Sequence, residues 1–148
     1  MQSQHNKIMH GYFNAVLRLR QELRQKIRLL LTENGHSDIT MEMTQILYYI
    51  HYMAKNQQSN QQDIASRTGK SKSGVTSLID HLVNRDLLNR EMDQADRRNN
   101  IITLTPNGLS FIEDIYDKVN QAFDLKKAGV SLEDIEKMSR MMESLMES

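Results

Sequence analysis

The segment from Gln61 to Leu78 constrains the fold of this chain more than any other stretch. It reads QQDIASRTGKSKSGVTSL, which has the spacing of two short helices joined by a tight turn. Ala65 is small enough for two helices to cross closely, and Gly69 supplies the positive φ with which a chain leaves a helix. Val75 and Leu78 give the second helix an inward apolar stripe. The pattern predicts a helix-turn-helix.

Short polar and cationic side chains occupy the outward face of the second predicted helix. This is the chemistry of a helix that lies in the major groove of DNA, although a solvated helix face has the same composition. We expect Arg67 and Lys70 to contact phosphates, which positions a protein without specifying a sequence; the alternative for Arg67 is a surface residue near a helix end. The predicted contacts of the helix itself are Ser71, Lys72, Ser73, Thr76 and Ser77.

Composition excludes several classes of protein. The 148 residues, 39% of them apolar, suffice for one domain with helical extensions. There is no cysteine, so disulfide and thiol chemistry are excluded. No signal peptide and no apolar run near ~18 residues is present, so we expect a cytoplasmic protein without a membrane partner.

Motifs of catalysis and cofactor binding are absent from the sequence. It has no Gly-rich phosphate loop and no nucleophile elbow, so we expect no enzyme activity and no cofactor. No two of the five histidines have the local spacing of zinc ligands, so no metal site is predicted. His81, on the second helix of the motif, is expected near the DNA or in an apolar seam.

Charge is balanced overall but unevenly distributed. The formal net charge is zero, yet the first 35 residues carry six basic and two acidic side chains. From Pro106 onward there are five basic and nine acidic side chains. Local fields steer a partner when the screening length is about 8 Å, so clustered cations matter more than the total. Those clusters are Arg67, Lys70 and Lys72, and then Arg97 and Arg98.

Apolar periodicity predicts helices on the N-terminal side of the motif. The first runs from about residue 6 to residue 32, and a second follows Thr40. The third is capped by Ser59, with Gln62 completing a capping box. The side chains expected to face inward from the second helix are Met43, Ile46, Leu47, Ile50, Met53 and Ala54.

The period changes after the helix-turn-helix. Residues 88–92 alternate in polarity, and residues 101–104 are β-branched except for the last, Leu104, which predicts two strands joined by a polar tip. Thr105 and Pro106 then begin a fifth helix, with Leu109 on its inward stripe, and residues 126–130 form a break. Ser131 caps the last helix, with Asp134 at its third position.

The predicted fold is mainly α with a small β-hairpin wing: a winged helix-turn-helix with long N- and C-terminal dimerisation helices. We place an N-terminal dimerisation helix in residues 1–35, the DNA-binding lobe in residues 36–105 and C-terminal dimerisation helices in residues 106–148. The terminal helices cannot all bury their apolar faces on the lobe, so we expect a homodimer. Methionines suited to an adaptable interface are Met138, Met141, Met142 and Met146.

Asp96-Arg97-Arg98, followed by Leu104-Thr105 and Gly108, resembles the D-x-R…LT-x-x-G signature of the MarR (multiple antibiotic resistance regulator) family. The preceding IASRTGKSKSGVTSLIDHLVNRDLLNR resembles the recognition-helix segment of that family. The resemblance covers residues 61–108, and it extends to the flanking helices only in their lengths and apolar faces. It implies a dimeric transcription regulator that binds double-stranded DNA at a pseudo-palindromic operator, with repression relieved by a small-molecule effector.

The resemblance also implies individual roles. Arg98 would reach into the minor groove, where negative potential attracts arginine, with Arg97 beside it, and Asp96 would orient Arg98 without touching DNA. Members of the family commonly respond to small, often phenolic or anionic ligands bound between the DNA-binding lobe and the dimer helices.

Tyrosines crowd the second predicted helix. Their apolar rings and polar tips suit either core packing or a cavity for a small aromatic or anionic effector. A second class of function remains open at this point: a winged-helix module that binds protein and not DNA. The residues predicted to line the effector cavity are Tyr12, Tyr48, His51 and Tyr52.

Overall fold

Helices interrupted by one small sheet make up the structure, a computed structural model that describes residues 3–96 and 100–148. A π-helical turn (Tyr49–Met53) continues the second helix, and a 3-10 turn (Lys55–Gln57) follows it. The strands are β1 (Gln58–Ser59), β2 (Leu88–Met92) and β3 (Asn100–Leu104). The helices are α1 (Ser3–Glu33), α2 (Met41–Tyr48), α3 (Gln61–Thr68), α4 (Lys72–Asn84), α5 (Pro106–Gln121), α6 (Leu125–Ala128) and α7 (Leu132–Met146). The predicted winged-helix architecture, mainly helical with a small sheet, is confirmed.

Polar side chains begin the helices where the sequence predicts. Thr40 caps α2, and Thr105 caps α5 by accepting a hydrogen bond from the Gly108 amide at 2.9 Å. Ser131 and Asp134 form a reciprocal capping box at the start of α7. Each cap satisfies backbone N–H groups that have no partner inside the helix.

The predicted cap of α3 is wrong by one residue. Asn60 is the N-cap, and its Oδ1 accepts a hydrogen bond from the Asp63 amide at 2.8 Å. Ser59 cannot serve because it lies in β1, where its backbone is extended and paired with β3. Gln62 therefore completes no capping box with Ser59.

The sheet has three strands, one more than the sequence predicts. Its order is β1-β3-β2, and both pairings are antiparallel. Leu88 pairs with Leu104 and Met92 with Asn100, so β2 and β3 form the predicted hairpin. β1 contains only two residues, too few to show an alternating pattern, and it anchors the hairpin to the segment that precedes α3.

The core lies where α2, α3, α4 and α5 meet, and only the last turns of α1 reach it. On α1, Ile27 and Leu31 are buried, whereas no residue of α7 is buried. On α5, Phe111 is buried and Leu109 is 37% exposed, so Leu109 does not belong to the inward stripe as expected. The break expected at residues 126–130 overlaps the short helix α6. Among the described residues, the apolar side chains with no exposure are Ile46, Leu47, Ile50, Ile64, Val75, Ile79, Leu82, Ile102, Ile112 and Ile115.

The π-helical turn explains a second wrong prediction. Met53 was expected to face inward with Ile50, but Met53 is 54% exposed. A π-helical turn takes more residues than an α-helical turn, so the face presented to the core rotates after α2. Among the described residues, no helix has the length and apolarity needed to cross a membrane.

The start of α5 packs unusually closely on the turn after α4. The Thr105 hydroxyl donates to the Asp86 carbonyl at 2.6 Å, and the Asn107 amide donates to the Asp86 carboxylate at 2.6 Å. A β-carbon added to Gly108 would lie 2.0 Å from the backbone oxygen of Leu87. The glycine of the L-T-x-x-G segment is thus required by a contact between two backbones.

We therefore expect Gly108→Ala to destabilise the fold by at least about 1–3 kcal/mol, because neither backbone can yield cheaply. Gly35→Ala is the matched control. Gly35 has φ 78° and open space around it, so the substitution costs only the roughly 1 kcal/mol of a left-handed alanine. Urea unfolding followed by circular dichroism measures both; equal losses would show that the Leu87 contact is not the constraint.

Candidate nucleic-acid interface

The helix-turn-helix consists of α3, a short turn and α4. Gly69 has φ 67°, and its amide donates to the carbonyl of Ala65, so α3 ends where the sequence predicts. Ser71 begins α4 as its N-cap and accepts a hydrogen bond from the Gly74 amide at 3.2 Å. The turn is therefore followed directly by α4, whose Gly74 amide is satisfied by the Ser71 cap.

The two faces of α4 differ in character. Val75, Ile79 and Leu82 have no solvent exposure and pack into the core of the lobe. The outward face of the first turns carries Lys72, Ser73 and Ser77, all exposed. Because the inward face is completely buried, α4 can present only this polar face to a partner.

Most of the predicted DNA contacts lie together at the turn and on the first turns of α4. The positive end of the α4 dipole points to this region, which favours phosphate groups near Lys70 and Lys72. The individual contacts stay predictions. The exposed members of the set are Arg67, Lys70, Ser71, Lys72, Ser73 and Ser77.

Thr76 differs from the rest of this set because it is half-buried. Its hydroxyl donates to the Lys72 carbonyl at 2.8 Å and is also in contact with the side-chain amide of Gln61. The Gln61 contact joins the start of α3 to the first turns of α4. Thr76 stays a predicted DNA contact, but in the free protein its hydroxyl is used within the lobe.

Arg67 lies over an aromatic ring. Its guanidinium carbon is 5.1 Å from the centroid of the Tyr49 ring, a cation–π arrangement. The side chain is exposed at the end of α3, one residue before Thr68. The ring thus holds a cation close to the turn that precedes α4.

The wing is described only in part. Arg97 and Arg98, the predicted minor-groove contacts, lie outside the described residues. Asp96, the predicted orienting residue, is half-buried at the end of the described range. The Asp93 carboxylate accepts a hydrogen bond from the Ala95 amide at 2.9 Å, which turns the chain after β2.

An ion pair that the sequence analysis missed ties the wing to α4. A guanidinium nitrogen of Arg90, on β2, lies 2.5 Å from the carboxylate of Asp80, on α4. Both side chains are partly exposed, so the pair adds little stability but restricts the angle between strand and helix. The pairing of Asp80 with Arg90 could not be predicted from periodicity, because the two residues lie ten apart in different elements. Only the predicted hairpin indicated that β2 lies near α4.

A second missed cluster lies at the other end of α4. The Asp38 carboxylate, in the turn after α1, accepts from Nε2 of His81 at 2.7 Å and is in contact with Nη1 of Arg85. His81 was expected near the DNA or in an apolar seam. It lies in no apolar seam, because the α1–α2 turn offers the ring a charged partner, and its nearness to DNA stays a prediction.

Hydrogen bonds from Arg85 and then His81 lower the pKa of Asp38 to about 2. Because the folded-state value lies below the usual 3.8, the cluster stabilises the fold above pH about 4. That contribution is lost as the pH falls toward 2 and the carboxyl group becomes protonated in the folded state. The carboxylate is therefore fully charged near neutral pH.

Three of the four predicted effector residues lie together on and after α2. The rings of Tyr48 and Tyr52 are 4.8 Å apart, and His51 lies 4.4 Å from Tyr52. The sequence analysis missed Tyr116, on α5, which lies 4.7 Å from Tyr48. Burial raises the pKa of Tyr116 to about 12 and, with the charge of Glu113, that of Tyr52 above its usual value.

An open groove of about 580 Å³ borders this aromatic cluster. Glu113 lies beside the cluster, and its carboxylate is 3.3 Å from Nε2 of His51. Asp114 is paired with Lys118 at 3.0 Å. The groove therefore combines aromatic rings with an excess of negative charge. Its lining residues are Tyr52, Ser110, Glu113, Asp114, Tyr116, Asp117 and Asn120.

The fourth predicted effector residue, Tyr12, lies elsewhere in the chain. It lines an apolar cavity of about 650 Å³ between α1 and the end of α7, with Met142 and Leu145 opposite. Within one chain the structure thus separates Tyr12 from the other three residues. Across the described part of the chain, no group of three or more histidine and acidic side chains could hold a metal ion.

These observations define a class of protein. A helix-turn-helix with an outward cationic and hydroxyl face, followed by an antiparallel hairpin, is a winged-helix DNA-binding domain. A family model described as MarR family matches residues 37–99. No protein of curated function matches the chain by sequence.

Solved structures have the same fold. The DNA complex of MepR from S. aureus is 25% identical, with a TM-score of 0.65 over 92% of this chain and 96% of MepR. A mutant of MarR from E. coli complexed with operator DNA is 16% identical, with a TM-score of 0.67 over 96% and 97%. AbsC, a MarR family transcriptional regulator from Streptomyces coelicolor, is 22% identical, with a TM-score of 0.67 over 93% and 91%.

Residues 37–99 thus match the MarR family, and the chain as a whole has the fold of solved MarR family structures. Proteins of this family are regulators and not enzymes. The predicted resemblance to the MarR family is confirmed by this match.

Proposed function

We propose that two copies of this chain form a homodimeric repressor in the cytoplasm that binds a pseudo-palindromic operator and is released by a small-molecule effector. The observation that carries the proposal is the two-faced α4, with Val75 and Ile79 buried beneath and Lys72, Ser73 and Ser77 exposed above. A helix presented in this way fits the major groove, and its exposed hydroxyls and ammonium group can reach base edges.

The terminal helices support the dimer. Every residue of α7 is exposed, including Leu132 at 76% and Met146 at 78%. The first half of α1 also exposes apolar side chains, such as Ile8 at 64% and Leu17 at 63%. Contiguous apolar surface of this kind marks an interaction site.

Charge complementarity supports a second copy as the partner. The exposed arginines of α1 include Arg20 and Arg28, whereas α7 carries Glu133 and Glu143. The terminal helices of two chains can therefore attract each other, and the methionines of α7 can adapt to the contact. A two-fold dimer places two α4 helices on half-sites about 34–36 Å apart.

Repression follows from occupancy. Two lobes bound to successive major grooves, each with a wing beside it, cover one face of the duplex and exclude other proteins from it. An effector that binds better to a dimer with a different lobe spacing lowers the affinity for the operator. DNA must then lower the affinity for the effector by the same factor.

We expect Lys70→Ala to weaken binding to all duplexes alike and to reduce the slope of log affinity against log salt by about one, because one phosphate contact is lost. Ser73→Ala should instead change the preference among sequences selected from a random duplex pool. Fluorescence anisotropy at several salt concentrations measures both effects.

Lys126→Ala is the matched control for these variants, since Lys126 is an exposed lysine of α6, remote in sequence from α4. Equal salt slopes for the wild type, Lys70→Ala and Lys126→Ala would contradict the placement of α4 on DNA. Binding of no duplex by the wild type would favour the alternative of a protein-interaction module.

We expect Leu145→Glu to separate the dimer into single chains of 17.2 kDa, because a carboxylate would be buried in the apolar contact of α7. Sedimentation equilibrium gives the mass. Circular dichroism should show an intact lobe, since α7 contributes no buried residue to it. Met53→Glu, at an apolar side chain 54% exposed outside the terminal helices, should leave the mass unchanged. A wild type that sediments as one chain would refute the dimer.

We place the effector in the groove beside Tyr52 and Tyr116. The rings of Tyr48, Tyr52 and Tyr116 can stack on an aromatic ligand, while Glu113 and Asp117 make the groove acidic. This lining disfavours an anion and favours an aromatic ligand that is neutral or cationic, because cations are attracted both to carboxylates and to the faces of aromatic rings.

Benzylamine, benzyl alcohol and benzoate test this proposal, since they match in size and differ in charge. We expect calorimetry to show the tightest binding for benzylamine and the weakest for benzoate, with Glu113→Gln reducing the difference. Tyr52→Ala should weaken all three, and Tyr49→Phe, next to the Arg67 contact, should not. Preference for benzoate would refute the acidic groove, and loss of binding only in Tyr12→Ala would move the site to the cavity between α1 and α7.

A further inference from the structure

Asp38 joins the C-terminal end of α4 to the turn in which α1 ends. One carboxylate oxygen of Asp38 is 2.7 Å from Nε2 of His81 and is also in contact with Nη1 of Arg85. His81 and Arg85 lie four positions apart, so their side chains project from the same side of the helix end. A single carboxylate oxygen thus holds two side chains that lie one turn apart at the end of α4.

Arg85 extends the connection to a third element. Its second guanidinium nitrogen lies 3.1 Å from Nδ1 of His36, in the same turn as Asp38. The His36 ring packs edge-on against Phe111 of α5, with centroids 4.8 Å apart and an interplanar angle of 81°. The backbone N–H of Arg85 bonds the His81 carbonyl at 3.0 Å and so ends the helix.

The position of this contact on α4 determines its effect. α4 has 13 residues and is roughly 20 Å long, with the predicted base contacts in its first turns and Asp38 at its last. A tilt of about 10° around the last turn would move the first turn by roughly 3 Å, given that length. A displacement of that size exceeds the tolerance of a hydrogen bond to a base edge.

We propose that Asp38 is a positioning residue for DNA recognition, which fixes the direction of α4 by holding His81 and Arg85. The proposal rests on the placement of α4 in the major groove. Asp38 touches no base; it acts through the helix that does. Its carboxylate is charged near neutral pH, since the pKa is lowered to about 2 by the two partners it holds.

Asp38→Ala removes the shared acceptor and leaves the buried face of α4 unchanged. We expect affinity for a duplex selected from a random pool to fall on the order of fivefold, the size of effect seen for residues that act without touching the ligand. Affinity for the same duplex with scrambled half-sites should stay within about twofold, because phosphate contacts depend less on helix direction. The ratio of the two affinities is the decisive readout.

Glu33→Gln is the matched control for charge, since Glu33 is an exposed carboxylate at the end of α1. If Asp38 acts only by repelling DNA, Asp38→Ala and Glu33→Gln will both strengthen binding to the two duplexes alike, which would overturn the proposal. If the substitution only loosens the fold, the melting temperature will fall and both affinities will fall in the same proportion, which would also overturn it.

The double variant Asp38→Ala/Arg85→Ala separates positioning from direct contact. If Arg85 acts through Asp38, the double variant will lose no more of the affinity ratio than either single variant. If Arg85 instead touches a phosphate, Arg85→Ala will lower the affinity for both duplexes alike and leave their ratio unchanged, and the role assigned to Asp38 will be wrong. If α4 does not lie in the major groove, Ser73→Ala in an otherwise wild-type chain will leave the sequence preference unchanged. That result distinguishes a failure of the proposed function from a failure of the role of Asp38.

Discussion

Complete burial of one side of α4 is the constraint on which the rest of the structure depends. Val75, Ile79 and Leu82 recur at helical spacing and have no solvent exposure. Burial of three such side chains contributes several kcal/mol, at about 1.5–3 kcal/mol each, so rotation of α4 about its axis would be costly. The buried side chains therefore orient the polar face outward, and the residues of the polar face contribute nothing to that orientation.

Burial fixes the rotation of α4 about its axis but not its direction, and polar contacts at three places supply the remaining restraints. Gln61 contacts Thr76 near the start of the helix, and Arg90 pairs with Asp80 beside it. The Asp38 cluster holds its end. Each contact is partly exposed and weak by itself, and the three act at different points along α4. Regulation that acts by moving whole lobes fits such a helix better than local rearrangement of α4 would.

Much of this fold could be predicted because its determinants are local. Thr105 before Pro106 marks a helix start, and Gly69 marks a helix end, through backbone chemistry that involves only a few neighbouring residues. The buried stripe of α4 follows from the period of the helix alone. β1 could not be predicted because a two-residue strand has no period, and its pairing with β3 depends on residues more than forty positions away.

In the candidate site, too, the features with local determinants could be predicted and those that depend on distant residues could not. The exposed residues at the turn and on α4 could be predicted, because the outward face of a helix is the complement of its inward face. The contacts of Asp38 could not, since its two partners lie 43 and 47 residues further along the chain. Tyr116 was missed for a related reason: as part of an apolar stripe on α5 it has the pattern of a core residue, and only packing against Tyr48 shows its place in the aromatic cluster.

α5 connects the proposed effector groove to the rest of the molecule. Ile112 and Ile115 are buried in the core, while Glu113 and Tyr116 line the groove from the same helix. Farther along, Lys118 of α5 donates to the side chain of Asn34 at 2.9 Å, at the end of α1. Because one helix takes part in the core, the groove and the end of α1, a ligand that shifts α5 must change the position of the lobe relative to α1. The methionine-rich surface of α7 can repack around such a shift, since unbranched side chains fill irregular gaps.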